Sequence, residues 1–204
     1  MRKLWNRVLC CFLVAAFFWC GTLIADRQRL REELIRLHVV ANSDSEADQT
    51  VKLQVRDAVV ESLQTAMTDI SDIGQARAYL QENLPKIQVI ANSVLAQAGV
   101  DCEAVVTLCK EDFSTRVYDT FTLPAGIYES LRITIGEGRG RNWWCVVFPS
   151  LCIPATTRGF SDVAAGSGFP DALSNALTGE EGYELRFYLL DLLGRAENIF
   201  SQEK

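Results

Sequence analysis

The chain contains one histidine, His38, followed by the polar run Asn42, Ser43 and Asp44, and seven cysteines, four of which (Cys102, Cys109, Cys145 and Cys152) lie beyond the N-terminal hydrophobic run. Imidazole and carboxylate together can move protons, so His38 with a carboxylate such as Asp44 is the acid–base pair that an extracytoplasmic cell-wall hydrolase would use. A Cys-His hydrolase would need His38 beside a nucleophile such as Cys145 and a third orienting group, and no nucleophile motif surrounds the cysteines. Zinc would require further nitrogen or thiolate ligands at workable spacing, and neither HExxH nor CxxC occurs. Asp119-Thr120-Phe121 lacks the glycine of the Asp-Thr-Gly turn of aspartic proteases. A lone strand histidine beside a polar turn is more often a hydrogen-bonded structural residue or an interface contact. The balance is against an enzyme, with the hydrolase as the alternative, and no metal or cofactor is expected.

The elements that must position these residues change period at the polar run. Over 35–41, Ile35, Leu37, Val39 and Ala41 fall on one side and Arg36, His38, Val40 and Asn42 on the other, the period of a strand. From about residue 45 the spacing becomes helical, with a stripe of Val51, Val55, Ala58, Ser62 and Ala66, and with Asp48 four residues ahead of Lys52 on the outer face. Ser43 and Glu46 have capping-box spacing. A strand therefore turns sharply into a helix and holds a polar cluster at the turn.

A second helix is expected from Ser71-Asp72 to Gly99, with a kink or fresh start at Pro85. Strand formers over 102–109 and 116–123, separated by 111–114, suggest a hairpin closed by Pro124-Ala125-Gly126. Tyr128, Leu131 and Ile135 follow helical spacing, which predicts a short helix, although Leu131, Ile133 and Ile135 would equally suit a strand. The glycines of 136–140 lack the Lys-Ser/Thr pair of a phosphate loop, and their expected use is to bend the chain and carry Arg139 and Arg141 outward. In the strand over 142–148, Trp143 and Trp144 must point to opposite faces, one available to the core and the other to a second layer, a partner or a glycan. Residues 154–181 read as a flexible loop region, 183–187 as a strand and 189–198 as a helix. The sum is an α+β domain: a mixed sheet of about four to five strands with helices packed mainly on one face, preceded by one N-terminal hydrophobic helix.

That N-terminal helix comes from Arg2, Lys3 and Arg7 followed by an uncharged run over 8–25, which would span about 27 Å against a hydrocarbon layer of ~30 Å. Residues 1–25 are thus a signal peptide or a transmembrane anchor. Leu23, at a position where a cleavage site prefers a small residue, favours the anchor. Residues 26–153 and 182–200 are placed outside the cytoplasm as one domain. Of the 20 basic and 26 acidic residues, the first 25 positions hold three basic and no acidic ones, so the remainder carries 17 against 26, or −9. A charge of that sign is repelled by phosphate backbones and anionic membrane surfaces, which argues against nucleic acid and for a basic or neutral protein partner.

Cys145 and Cys152 enclose a short loop containing Pro149 that a disulfide could close, and the chain-entropy estimate for such a loop is ~2.5 kcal/mol. Cys102 and Cys109 cannot pair on one continuous strand, since seven residues span about 23 Å against a limit near 7 Å.

Two stretches, RLHVVANSDSEADQTVKLQVRDAV from Arg36 and LPAGIYESLRITIGEGRGRNWWCVVFPSLC from Leu123, resemble the motifs of the stage II sporulation protein R family. The resemblance covers roughly residues 30–153 closely. It implies a noncatalytic signal made in the forespore of endospore-forming bacteria and exported into the space between the two membranes. There it activates a membrane-embedded aspartic protease of the mother cell, which processes the sigma-E precursor. The first motif maps onto Arg36, His38, Asn42, Ser43, Asp44, Asp48, Lys52, Arg56 and Asp57, and the second onto Gly136, Gly138, Asn142, Trp143, Trp144, Cys145, Pro149 and Cys152. With Arg139, the polar and aromatic members of these sets are the expected partner-binding residues. Ser150 stands where the family often carries a second proline.

Overall fold

In the computed structural model the described residues are 31–67, 69–117 and 122–149, together with 4–7, 9–14 and the single positions 17, 21 and 28. The alternating stretch forms β1, Ile35–Val40, and the helical pattern after the polar turn forms α1, Glu46–Met67. α2, Ile73–Gln97, starts at the Asp72 cap, whose side chain accepts the Gln75 amide, and stops at Gly99 with φ of 68°. Next come β2, Ala104–Phe113, the short pair β3, Arg116–Val117, and β4, Thr122–Leu123, and then β5, Gly126–Ile135, and β6, Asn142–Phe148. The main sheet has the order β2-β5-β1-β6: β1 is parallel to β5 and antiparallel to β6, and β2 is antiparallel to β5. This is the expected α+β architecture.

Both helices pack on one side of the sheet. Ile35, Leu37 and Val39 of β1, Leu131, Ile133 and Ile135 of β5, and Ala104 and Val106 of β2 meet Val51, Val55, Val59, Leu63, Leu80, Ile87, Ala91 and Leu95 of the helices. α2 also covers the outer edge of β2, where Asn92 Oδ1 accepts the Ala104 amide at 2.7 Å and Gln88 Oε1 accepts the Val106 amide at 3.1 Å. Side chains one helical turn apart thereby satisfy edge amides that would otherwise be open to pairing.

Several expectations are corrected. Residues 126–135 form a strand and not a short helix: with β1 on one side and β2 on the other, an extended chain here satisfies its backbone groups in two ladders, which a short helix could not. β2 runs through 111–113 to Phe113, because β5 extends far enough to pair with it, so the expected hairpin is reduced to β3 and β4. The buried stripe of α1 is Val51, Lys52, Val55, Val59, Leu63 and Met67; Ala58, Ser62 and Ala66 are only half-buried, since the larger side chains claim the face toward the sheet. α2 continues through Pro85, which is exposed together with Gln81, so the lost hydrogen bond falls on the solvent side. The expected loop over 154–181, strand over 183–187 and helix over 189–198 lie outside the described residues, as does most of the N-terminal run. Among the described residues no helix is long and apolar enough to cross a membrane.

Candidate functional site

The β5–β6 connection must cross the end of β1, because β1 lies between the strands it joins. Its glycines make that crossing possible. Gly136 and Gly138 adopt φ of 54° and 62°, a region that disfavours a Cβ. At Gly140 a Cβ would collide with the Ser43 carbonyl oxygen. The loop lies directly on the β1 terminus: the Gly140 amide donates to Ala41 O at 2.9 Å and the Arg139 amide to Asn42 O at 3.1 Å. Side chains of the polar turn complete the attachment, with Asn42 Oδ1 accepting the Glu137 amide at 3.0 Å and Asp44 Oδ1 the Arg141 amide at 2.7 Å.

α1 is tied to the same junction. Ser45, and not Ser43, caps it, its hydroxyl accepting the Asp48 amide at 3.1 Å. Ser43 instead donates to Asp48 Oδ2 at 2.5 Å, and Asn42 Nδ2 donates to the same oxygen at 3.1 Å. The Ser43 hydroxyl holds the Asp48 carboxyl below its usual value, with Asn42 and Ser45 acting in the same direction against partial burial. Lys52 is not an outward partner of Asp48: only 4% exposed, it donates to Gln49 Oε1 at 2.6 Å and to Arg141 O at 3.0 Å. Burial, followed by the charges of Arg141 and Arg56 and opposed by Asp44, pushes its ammonium below the ordinary lysine value. One turn further along α1, the Arg56 guanidinium lies 4.3 Å from the centroid of Trp143 and pairs with Asp57 at 2.6 Å.

The second cluster lies on the sheet face away from the helices. His38 Nδ1 is 3.2 Å from both carboxylate oxygens of Glu111, and Nε2 is 3.1 Å from Asn142 Oδ1. The imidazole stacks on Trp144 at 5.6 Å with an 18° interplanar angle, and the Arg116 guanidinium sits 3.6 Å from the same indole. Arg132 Nη1 donates to Glu111 Oε1 at 2.7 Å. Burial by itself would raise the Glu111 carboxyl; the hydrogen bond and charge of His38, the nearby Ser130 hydroxyl and Arg132 outweigh it and bring the carboxyl below its usual value. Arg36, fully buried at 0% exposure, lies 3.9 Å from the Phe113 ring centroid and 5.2 Å from that of Tyr128.

The carboxylate bonded to His38 is therefore Glu111 and not Asp44. With both ring nitrogens engaged and the residue 9% exposed, His38 braces β1 to β2 through Glu111 and to β6 through Asn142 and Trp144. Trp144 is packed in this cluster, while Trp143 is the more exposed of the two indoles. Neither is in the helix-side core. Glu111, Arg132, Arg116 and Phe113 were not singled out by sequence. Their signal is the alternation of Ser130, Arg132 and Thr134 with Leu131, Ile133 and Ile135, and the shared parity of Cys109, Glu111 and Phe113. Cys102 and Cys109 are free, half-buried thiols, and burial raises both. Cys145 is disulfide-bonded, and Cys152 lies outside the described residues. Among the described residues no group of three His, Cys, Asp or Glu side chains is placed to hold a metal ion.

The profile of the family described as stage II sporulation protein R matches residues 31–158. The chain belongs to that family. A Bacillus subtilis (strain 168) protein named stage II sporulation protein R is 42% identical over 121 residues, 59% of this chain and 54% of that protein, so the match spans about half the relative's length. No solved structure matches the chain. Both clusters lie within the segment shared with the stage II sporulation protein R family, and the sequence stretches that the family resemblance singled out meet at the end of β1.

Proposed function

We infer that the chain is a noncatalytic sporulation signal, exported from the forespore or anchored there by residues 8–25. On this reading it binds the outward face of the membrane-embedded aspartic protease of the mother cell. By favouring the protease's active arrangement it triggers processing of the sigma-E precursor, as a ligand with higher affinity for one of two states must do. The observation that carries this reading is the convergence of the two family motifs on one fixed junction whose outer side chains remain in solvent. Asp44, Asp57, Arg139, Asn142 and Trp143 are exposed there, with Asn42, Ser43, Asp48 and Arg56 beside them. Arg36, His38 and Lys52 are buried and serve the reading by holding the surface in shape. A Cys145–Cys152 disulfide fits an oxidising compartment.

Coexpression of the protease, its precursor substrate and this chain in a non-sporulating host tests the proposal. Cleavage that depends on this chain is the expected result, and equal cleavage without it would sink the idea. Cell-wall hydrolysis is the second reading, favoured by the contact between His38 and Glu111. It does not survive if His38→Ala, folded as judged by circular dichroism, signals like the wild type.

A further inference from the structure

Outside the first 25 residues acidic groups outnumber basic ones by nine, yet cations gather along one strip of the surface. Lys52, buried, bonds the Arg141 carbonyl, Arg56 lies on Trp143, and Arg139 stands two residues before Arg141 in the glycine loop, so the three arginines lie around one buried ammonium. Lys52 registers the resulting field: after burial, the groups that disfavour its charge are Arg141 and Arg56, with Asp44 alone opposing them.

Arg56 is paired with Asp57 at 2.6 Å and contributes its place beside Trp143 more than free charge; the acidic neighbours of Arg139 and Arg141 leave more of their charge available. Asp44 Oδ1 accepts the Arg141 backbone amide at 2.7 Å and sits 3.7 Å from the guanidinium, so it is spatially committed to the loop backbone. Glu137 pairs with Arg139 at 3.2 Å, but both side chains are largely in water, 65% and 78% exposed, where such a pair contributes about 0–1 kcal/mol. Three glycines, two side-chain acceptors and a buried ammonium fix the backbone of a loop whose arginine side chains are largely in water. Rigid presentation of arginine beside a part-exposed tryptophan is the composition of an interface centre, because ordering the loop on binding then costs little.

We propose that Arg139, Arg141 and Arg56, with Trp143 beside them, form the contact surface for a carboxylate-bearing segment of the partner protein. This rests on the signalling reading above and adds to it the chemistry of the partner's face. Anionic lipid is the other source of such charge, and the net −9 of the domain opposes it.

The test uses the full chain with the protease. Arg139→Glu is combined with Arg141→Gln, the second chosen because a carboxylate at that position would face Asp44. Both side chains are exposed, so the double variant should melt like the wild type. The concentration giving half-maximal cleavage should rise about tenfold or more, and raising salt from about 50 to about 500 mM should weaken the wild type more than the variant. Replacing an acidic residue on the partner by lysine should partly restore the variant carrying Arg139→Glu. Lys86→Glu, on the exposed side of α2, should change nothing. Unaltered activation by the double variant, with the wild type active, would overturn this proposal and leave the signalling reading standing; inactivity of the wild type would sink both. Wild-type binding to phosphatidylglycerol vesicles that the double substitution abolishes would assign the strip to lipid and overturn it as well.

Discussion

On the helix side of β1, Ile35, Leu37 and Val39 are wholly buried among aliphatic side chains, whereas one residue along, Arg36 and His38 are almost as deeply buried among charges and rings. The helix side is held by apolar burial, which is non-directional and scales with area. The opposite side is held by specific pairs: His38 with Glu111 and Asn142, Arg132 with Glu111, and Arg36 against Phe113 and Tyr128. Removing a methylene from the first leaves a void, and removing one member from the second leaves a desolvated partner. Equal burial therefore hides two kinds of fragility. The polar side adds a dependence on pH through Glu111.

The largest effect should come from the apolar side. Leu37→Ala removes a fully buried side chain at the centre of the sheet and should lower stability by about 2–5 kcal/mol, read from the urea midpoint. A loss below 1 kcal/mol would mean that the helices close over the cavity. Glu111→Gln should cost about 1–3 kcal/mol at neutral pH, because it keeps the shape and removes the charge that His38 and Arg132 face. Its pH dependence separates it from Leu37→Ala. The folded Glu111 carboxyl lies below its unfolded value of about 4.3, so its contribution is present above that pH and is lost as pH falls through the folded value. The gap between wild type and Glu111→Gln should shrink on acidification, and the gap for Leu37→Ala should not. A gap for Glu111→Gln that is constant from pH 7 to pH 3 would contradict the pairing.

Gly140→Ala acts where the glycine loop crosses the strand. Its Cβ would strike the Ser43 carbonyl, so a loss of about 1–3 kcal/mol is expected, with amide exchange accelerated at Arg139 and Gly140 before the sheet is affected. Protection that falls equally across β1 and β5 would show instead that the loop and sheet open as one unit. The smallest effect is expected for Asp48→Asn, about 0.5–1.5 kcal/mol at neutral pH. With the folded Asp48 carboxyl below its unfolded value of about 3.9, that difference should fade as pH drops through the folded value.

The strand, the polar turn, both helices and the outward arginines were legible before the structure, because each is encoded in the local spacing of side chains. Local spacing misled over 126–135, where helical and strand periods coincide on Leu131 and Ile135 and pairing with two neighbours decided between them. It also placed Lys52 outside, since nothing in α1 alone reveals that a carbonyl 89 residues later will cover its ammonium. Glu111 shares a strand face with Cys109 and Phe113 by parity, but its pairing was hidden for the same reason: its partners His38 and Arg132 lie on other strands, and β5 stands between β2 and β1.

Sequence alone determined which residues alternate, where helices begin and stop, and that one end of β1 carries a polar turn, because these depend on neighbours within a few residues. Tertiary structure alone decided that both faces of β1 are buried, that Glu111 rather than Asp44 meets His38, and that the glycine loop rests on the β1 terminus. Those outcomes depend on strand order, and strand order is set by contacts between residues far apart in the chain.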